Sequence, residues 1–385
     1  MNRSAGHYEE TSVAGEAVEA FVPKMLPPKP PLKIDDSMAS LLNTATIELA
    51  QLNTAAQLVP DKDWFIYGFV RKEAILTSQI EGYQPTLDDL FSFEATKKEP
   101  APDLREACNY LDALEYARAE LRKPNGLPLS LRLLKQSHKR LMQGVRGAHK
   151  QPGSFRTSQN WIGGTRPGNA SFVPPPPNKL MECLDSLEKY LHEENELPKL
   201  VRIGLIHVQF ETIHPFLDGN GRLGRLLIVL LLEEWGLLES PLLYLSVYFK
   251  RHRQLYYSLL SEVRVSGDWE TWTSFFLEGV ATVSREARIL AQDLFSMVEQ
   301  HRISVLDSPN SSVTGLRLLE ELPKHPIITL QRAVDLLNTT KPTATKAINL
   351  LAGLGILQEM ETGKRPRTFA CQEYLDLLRE DTEGI

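Results

Sequence analysis

Two strongly apolar stretches, residues 199–213 and 222–235, bracket one short polar loop, and this pairing constrains the chain more than any other feature. Both stretches read as helices, and Leu226–Leu232 is uniformly apolar, as a helix buried on all sides must be. The loop between them has the opposite character: His214-Pro215-Phe216-Leu217-Asp218-Gly219-Asn220-Gly221, followed by Arg222 and Arg225. His214 can take a proton near neutral pH. Asp218 is a hard oxygen ligand suited to Mg²⁺. Gly219 and Gly221 let backbone amides approach phosphate closely. Arg222 and Arg225 lie three apart, so they share a face of a helix that starts here, and their planar forks match phosphate oxygens. The loop therefore delivers phosphate to a helix N-terminus, where the dipole and the free N–H groups favour anions. His214 precedes a proline, which biases it toward an extended backbone at the end of the preceding helix.

The run from His214 to Arg225 resembles the signature of the Fic family, H-P-F-x-[D/E]-G-N-G-R-x-x-R, with every specified position present. The resemblance extends over residues 60–290 and more weakly into the tail. It implies a mainly α fold, with a Fic-type helical core and a small β-hairpin flap. It also implies transfer of AMP from MgATP to a Ser, Thr or Tyr hydroxyl of a target protein. His214 would be the general base that takes the hydroxyl proton as the oxygen attacks the α-phosphorus. Asp218 would hold Mg²⁺. Gly219, Asn220, Gly221, Arg222 and Arg225 would bind the phosphates, and metal, Asn220 and the arginines would neutralise the departing pyrophosphate. His207 and Glu211 lie at helical spacing before His214 and mimic a metal triad. They read instead as structural or orienting groups, because the loop already supplies a carboxylate for Mg²⁺ and no closed zinc geometry is in view.

Three further segments share the resemblance. Residues 153–164, with glycine boundaries and short strand-like alternation, read as a hairpin and resemble the family's flap, whose strand edge pairs with an extended segment of the target. Arg156, Asn160, Trp161 and Ile162 are its docking candidates, although Asn160 stands where some relatives carry an aliphatic residue. Tyr256-Tyr257 resembles a pair whose second tyrosine lies beside the adenine, which makes Tyr257 the adenine-side candidate; Arg264 falls where some relatives place an asparagine against the base. Thr77-Ser78-Gln79-Ile80-Glu81-Gly82 resembles the family's inhibitory motif, [S/T]-x-x-x-E-[G/N]. Glu81 reads as lying in the last turn of its helix, where the dipole disfavours a carboxylate. Arg225 is the cationic partner that the resemblance suggests, and a pairing would keep that arginine from the γ-phosphate. Some relatives use the same glutamate to position a water that removes AMP; the sequence leaves both roles open.

At 385 residues the chain should hold two or three domains. The expected division is an N-terminal arm over 1–35, a helical region with the inhibitory helix over 36–104, the catalytic core over 105–295 and a winged-helix-like domain over 313–385. Helices are expected over 36–59, 63–81, 109–122, 130–143, 179–194, 250–263 and 268–290, with linkers at 97–102 and 307–312. In the tail, Leu330–Leu337, Thr339–Pro342 and Thr343–Leu354 read as a helix-turn-helix, with a wing tip over Gly363–Arg367 and a return strand at Phe369. Lys346, Asn349, Arg365 and Arg367 are the candidate DNA contacts. Residues 311–385 carry nine Lys+Arg against ten Asp+Glu, which favours protein interaction, target presentation or a homodimer contact over DNA.

A net charge of −6 gives no general attraction to nucleic acid or to an anionic membrane. Three scattered cysteines suit a reducing compartment. With no apolar signal core at the N-terminus and no long apolar run, the expectation is a cytoplasmic protein that binds ATP and a target protein and no membrane. Two rivals stay open: a DNA-binding regulator that uses the core as a nucleotide sensor, and a phosphotransferase that donates the γ-phosphate.

Overall fold

The computed structural model describes residues 3–13, 15–57, 62–96, 99–360 and 367–383. The chain is mainly helical, with two small sheets. In order it runs β1 (Gly6–Val13), β2 (Glu16–Pro23), α1 (Asp36–Gln57), α2 (Lys62–Ile80), α3 (Leu87–Thr96), α4 (Pro102–Arg122) and α5 (Leu131–Leu141). There follow α6 (Pro177–His192), α7 (Lys199–Ile213), α8 (Asn220–Glu234), α9 (Ser246–Arg251), α10 (Arg253–Ser266) and the long α11 (Trp269–Asp307). The tail holds α12 (Val313–Glu321), β3 (Ile327–Thr329), α13 (Leu330–Leu337), α14 (Lys341–Gly353), β4 (Gln358–Glu359), β5 (Thr368–Ala370) and α15 (Gln372–Arg379).

Two compact units result. The first comprises Met1–Ala50, Asn109–Pro241 and Tyr248–Thr282. At its centre are α7 and α8, whose side chains are buried all round, including every residue from Leu200 to Ile213. A Cβ on Gly224 would lie 2.3 Å from Glu211 Oε1, so the glycine is what lets these two helices approach. Helix α5 packs beside them through Leu131, Leu134, His138 and Leu141, one amphipathic stripe at i, i+3 and i+4 spacing, and its N-terminus is capped by Ser130.

Residues 6–23, expected as part of an arm, form an antiparallel hairpin in which Gly6 faces Pro23 and Val13 faces Glu16. Val13, Val18 and Ala20 bury an apolar cluster with Val173, against which Trp161 and Ala170 pack. Phe21 N–H donates to Val173 O at 2.9 Å, and Glu16 Oε2 accepts from Gly168 N at 2.9 Å and Arg166 NH1 at 2.7 Å. The segment 153–164 does not fold back on itself as expected. Among the described residues its strand-like pairing is an isolated antiparallel bridge between Ile162 and Phe172, closed through Gly163 and Gly164, both near φ +70°. The hairpin's return strand therefore lies beyond residue 164. Residues 171–173 pair with Ile162 on one side and, through Val173, with the N-terminal hairpin on the other.

The second unit comprises Gln51–Cys108, Leu242–Val247 and Val283–Ile385. Here α2 and α3 pack with the tail, so residues expected to form separate N-terminal and C-terminal domains share one unit. Gln79, buried near the end of α2, donates from Nε2 to Pro85 O (3.1 Å) and Thr382 O (2.8 Å). Arg379 on α15 pairs with Asp88 on α3 through Nε and Oδ1 at 2.9 Å. Helix α2 ends at Ile80, with Gly82 N–H donating to Gln79 O at 3.0 Å and Gly82 at φ +87°. Glu81 thus stands one residue past the helix, in the turn, and not in its last turn as expected. In the tail the sheet order is β3-β5-β4, all antiparallel, beside the consecutive helices α13 and α14. Arg365 and most of the expected wing tip, like Lys97 and Lys98 of the first linker, lie outside the described residues.

Candidate active site

The loop 214–219 joins the C-terminus of α7 to the N-terminus of α8. His214 is the C-cap of α7, with its N–H donating to Phe210 O at 2.9 Å. Its backbone is left-handed, φ 48° and ψ 62°, not the extended form that the following proline favours. The reason is the cap: ending a helix against a backbone carbonyl four residues back needs an αL residue, and histidine is among the few non-glycine types that tolerate it. The imidazole Nδ1 lies 3.3 Å from Glu211 O. A carbonyl only accepts, so Nδ1 carries the proton and the neutral ring has its lone pair on Nε2, the form a general base requires.

Arg156 locks this helix end. Its Nε donates to His214 O at 2.9 Å and its NH2 group to Pro175 O (2.6 Å) and Ile213 O (3.3 Å). Its own N–H donates to Pro215 O at 3.0 Å. Burial pushes its guanidinium down to about 10. Arg156, expected among the docking residues, is thus an internal cap for helix carbonyls, since a side chain this buried has no face left for a partner. Asn160 is half-buried, donating to Phe216 O at 3.3 Å and accepting from Trp161 N at 2.9 Å, and Trp161 leans on the N-terminal hairpin.

At the other end of the loop, Gly219 is the N-cap of α8 at φ 74°, and no side chain caps the helix. A Cβ there would meet Met142 Sδ at 2.7 Å, so glycine is required by both conformation and space. The first N–H groups of α8 therefore present the helix's positive end. Asn220 has its amide turned inward: Oδ1 accepts from Phe216 N and Nδ2 donates to Phe216 O, both at 2.9 Å. That side chain closes the loop on Phe216. Arg222 and Arg225 are both buried, and Arg222 NH2 lies 4.0 Å from Asp218 Oδ1.

Asp218 is half-exposed. Oδ1 accepts from Gly219 N at 2.8 Å, and Oδ2 pairs with Lys150 Nζ at 3.0 Å. Its carbonyl is held by His138, a residue that sequence reasoning missed. His138 Nδ1 accepts from Gly153 N at 2.9 Å, so the proton sits on Nε2, which donates to Asp218 O at 2.9 Å. The ring stacks on Phe216, centroids 3.8 Å apart and planes 12° apart. Burial pushes its pKa down to about 4, against a smaller opposing pull from Asp218. Its only sequence signal was a polar residue on the apolar stripe of α5.

The neutral His138 bridges Gly153 to the loop, and it predicts a pH effect. Its folded pKa lies below its unfolded value, so the unfolded chain binds the extra proton. The stability tied to the neutral ring is complete above about pH 6.5 and is lost as pH falls toward about 4. A glutamine spans both contacts with Oε1 and Nε2 and has no proton to gain. His138→Gln should therefore flatten the acid limb of a melting temperature against pH curve, while His138→Ala should melt lower at every pH. An acid limb in the glutamine variant as steep as the parent's would remove His138 from this role.

The remaining candidates fall in two places. His207, buried in α7, lies 3.2 Å from Gly224 O through Nδ1 and 2.8 Å from Tyr256 OH through Nε2, and burial pushes it down to about 3. It is a neutral core histidine, and no cluster of three or more His, Cys, Asp or Glu among the described residues is arranged to hold a metal. Tyr256 is accordingly buried, and Tyr257 is 42% exposed on α10. Arg264 lies over the Phe172 ring at 4.0 Å; burial lowers its pKa to about 10, with Glu211 and Tyr8 pulling the other way. In the second unit Thr77 is fully buried and Glu81 half-buried. No helix among the described residues is long and apolar enough to cross a membrane.

Comparison with known proteins agrees with this helix–loop–helix. Residues 39–119 match the Fic/DOC family N-terminal model, and residues 128–232 match the Fic/DOC family model itself. The chain is a Fic/DOC family protein with a mainly helical Fic fold. Its curated relatives are distant. It is 29% identical over 201 residues to a protein named probable protein adenylyltransferase from Aquifex aeolicus (strain VF5), covering 51% of this chain and 56% of that one. It is 32% identical over 171 residues to the protein adenylyltransferase Fic of Culex quinquefasciatus, covering 43% of this chain and 30% of that one. The chain thus spans about half or less of the length of these relatives. Among solved structures, a Fic family protein from Desulfovibrio desulfuricans G20 superposes with a TM-score of 0.57 at 19% identity, over 89% of this chain and 97% of that one. Fic-1 of C. elegans (residues 134–508) gives 0.51 at 21% identity, over 67% and 73%.

Proposed function

We propose that this chain is a protein adenylyltransferase that moves AMP from ATP to a side-chain hydroxyl of a target protein. The observation that carries the reading is the six-residue loop 214–219, with a base-form histidine at one end and an uncapped helix N-terminus at the other. In the proposed reaction the target oxygen attacks the α-phosphorus and the bond to the β-phosphate oxygen breaks. The hydroxyl proton goes to His214 Nε2, and pyrophosphate leaves. The α8 N–H groups, Arg222 and Arg225 offset the charge on the phosphates. Tyr257 is the proposed adenine-side residue, and Trp161 and Ile162 lie in the segment proposed to receive the target.

The half-exposed carboxylate of Asp218 fits a divalent cation, since one of its oxygens already faces an ammonium group. With a single carboxylate in the loop, the remaining ligands would be phosphate oxygens and water, which is the coordination Mg²⁺ prefers. Bound there, Mg²⁺ would neutralise charge on the leaving pyrophosphate. Glu81 is proposed as an inhibitory residue. The tail is proposed as a winged-helix-like module for protein contact, on the order of its helices and strands and its near-neutral charge.

Incubation with α-labelled ATP, γ-labelled ATP and labelled duplex DNA tests the reading. Label should reach protein from the α-phosphate only, with an AMP mass increment on the acceptor. Transfer of γ-label would instead establish the phosphotransferase, and tight duplex binding without transfer the DNA-binding regulator.

A further inference from the structure

The segment 144–153 approaches Asp218 closely on two sides, and only its last residue, Gly153, fell within a segment singled out from the sequence. Gly144, Gly147 and Gly153 have positive φ, as does Gln151 at 52°. At Gly147, φ +85°, a Cβ would lie 2.6 Å from Asp218 Oδ2, so only glycine permits the segment to pass this near the carboxylate. Gly153 N–H reaches the Asp218 carbonyl through His138, as described above. Between these two anchors Lys150 places its ammonium 3.0 Å from the same Oδ2. The other groups facing the carboxylate are Gly219 N–H on Oδ1 and Arg222 at 4.0 Å. Arg222 is buried, whereas the Lys150 side chain is 42% exposed and ends a flexible four-carbon stem.

We propose that Lys150 is an exchangeable counterion of Asp218, neutralising the carboxylate in the empty site and leaving it when a divalent cation arrives with the nucleotide. The inference rests on the reading of Asp218 as the metal ligand. A cation on Oδ2 and an ammonium on Oδ2 exclude each other by charge and by space. A half-exposed pair of this kind is worth little in itself, so displacement costs little. Without the ammonium, however, Oδ2 would meet the incoming phosphates with its charge offset more weakly, from Gly219 N–H and Arg222 on the Oδ1 side. Lys150 thereby lowers the dependence of nucleotide binding on the metal.

The experiment compares the affinity of the full chain for a non-hydrolysable ATP analogue with Mg²⁺ and with EDTA, by calorimetry. The ratio of the two dissociation constants is the metal–nucleotide coupling. Lys150→Met should raise that ratio about 5–10-fold, within the range of measured coupling between two ligands, chiefly by weakening binding in EDTA. Lys150→Arg, which keeps the cation, should leave the ratio at the parent's value, a rescue that a merely structural role would not give. Asp218→Asn should bring the ratio close to one. A Lys150→Met ratio equal to the parent's, with Asp218→Asn still abolishing coupling, would overturn the counterion while leaving the metal ligand intact. A parent ratio that Asp218→Asn does not change would overturn the metal assignment, and the exchange with it.

Discussion

Replacing His214 by alanine should lower AMP transfer by about 10²–10⁴-fold, the usual loss on removing a positioned base, while ATP-analogue affinity and melting temperature stay near the parent's. The argument starts from the helix end. His214 is held by its own N–H on Phe210 O, by Arg156 on its carbonyl and by Nδ1 on Glu211 O, so its ring has one tautomer and a base at Nε2. The side chain can be removed without disturbing the first two of these contacts, since both are to the backbone. The structural costs are the lost contact of Nδ1 with Glu211 O and the left-handed backbone at φ 48°, which alanine tolerates less well than histidine. His214→Asn is the companion variant: asparagine accepts that conformation and cannot act as a base, so it should be as inactive as alanine and at least as stable. Single-turnover labelling of a target from α-labelled ATP reads the loss, and labelling by either variant at the parent's rate would take His214 out of the mechanism.

The parts of this site that were legible in the sequence are those where chemistry and spacing coincide. The two stretches became α7 and α8 because apolar residues dominate both and no proline breaks either, and the loop residues fell at the junction as their types require. What was not legible depends on partners distant in sequence. His138 and Lys150 lie roughly 70–80 residues before Asp218, and neither carries a local mark of its role. Arg156 was a docking candidate because it lies in the segment that resembles the flap; its side chain is claimed by three carbonyls near the end of α7 and the start of α6. Asn220 looked like a phosphate ligand, but its amide mimics a peptide and closes the loop on Phe216. The backbone of His214 went against its proline neighbour because a helix cap outweighs a nearest-neighbour bias. The N-terminal hairpin did have a signal, the alternation of Val18 and Ala20 with Glu19 running into the apolar Phe21 and Val22. The prolines that follow, Pro27 to Pro31, drew the reading toward an arm.

Glu81→Gly should raise AMP transfer by about 5–150-fold, the span expected when a coupling of a few kcal/mol between two sites is released. The motif that the segment 77–82 resembles is inhibitory, and the local structure suits a fixed device. Thr77 is fully buried, Gln79 is tied to Pro85 O and Thr382 O, and Glu81 follows directly in the turn that Gly82 closes. A turn anchored in this way fixes the backbone from which the Glu81 side chain projects, which suits a brake better than a mobile surface position would. Because Glu81 lies beyond the last turn of α2, the change to glycine removes a side chain without breaking a helix, so a gain in activity cannot be attributed to unfolding of α2. The gain should require Arg225, the proposed holder of the γ-phosphate. Glu81→Gly combined with Arg225→Lys should therefore lose most of it, and lysine keeps the buried charge so that the core survives. Self-modification, read as AMP mass increments on the chain itself, reports the outcome. A Glu81→Gly protein that labels neither itself nor any target faster than the parent would sink the brake. Slower removal of AMP from a pre-modified target would show the same carboxylate positioning a water, and the two effects are compatible, because one carboxylate can block transfer and assist hydrolysis at a single phosphate site.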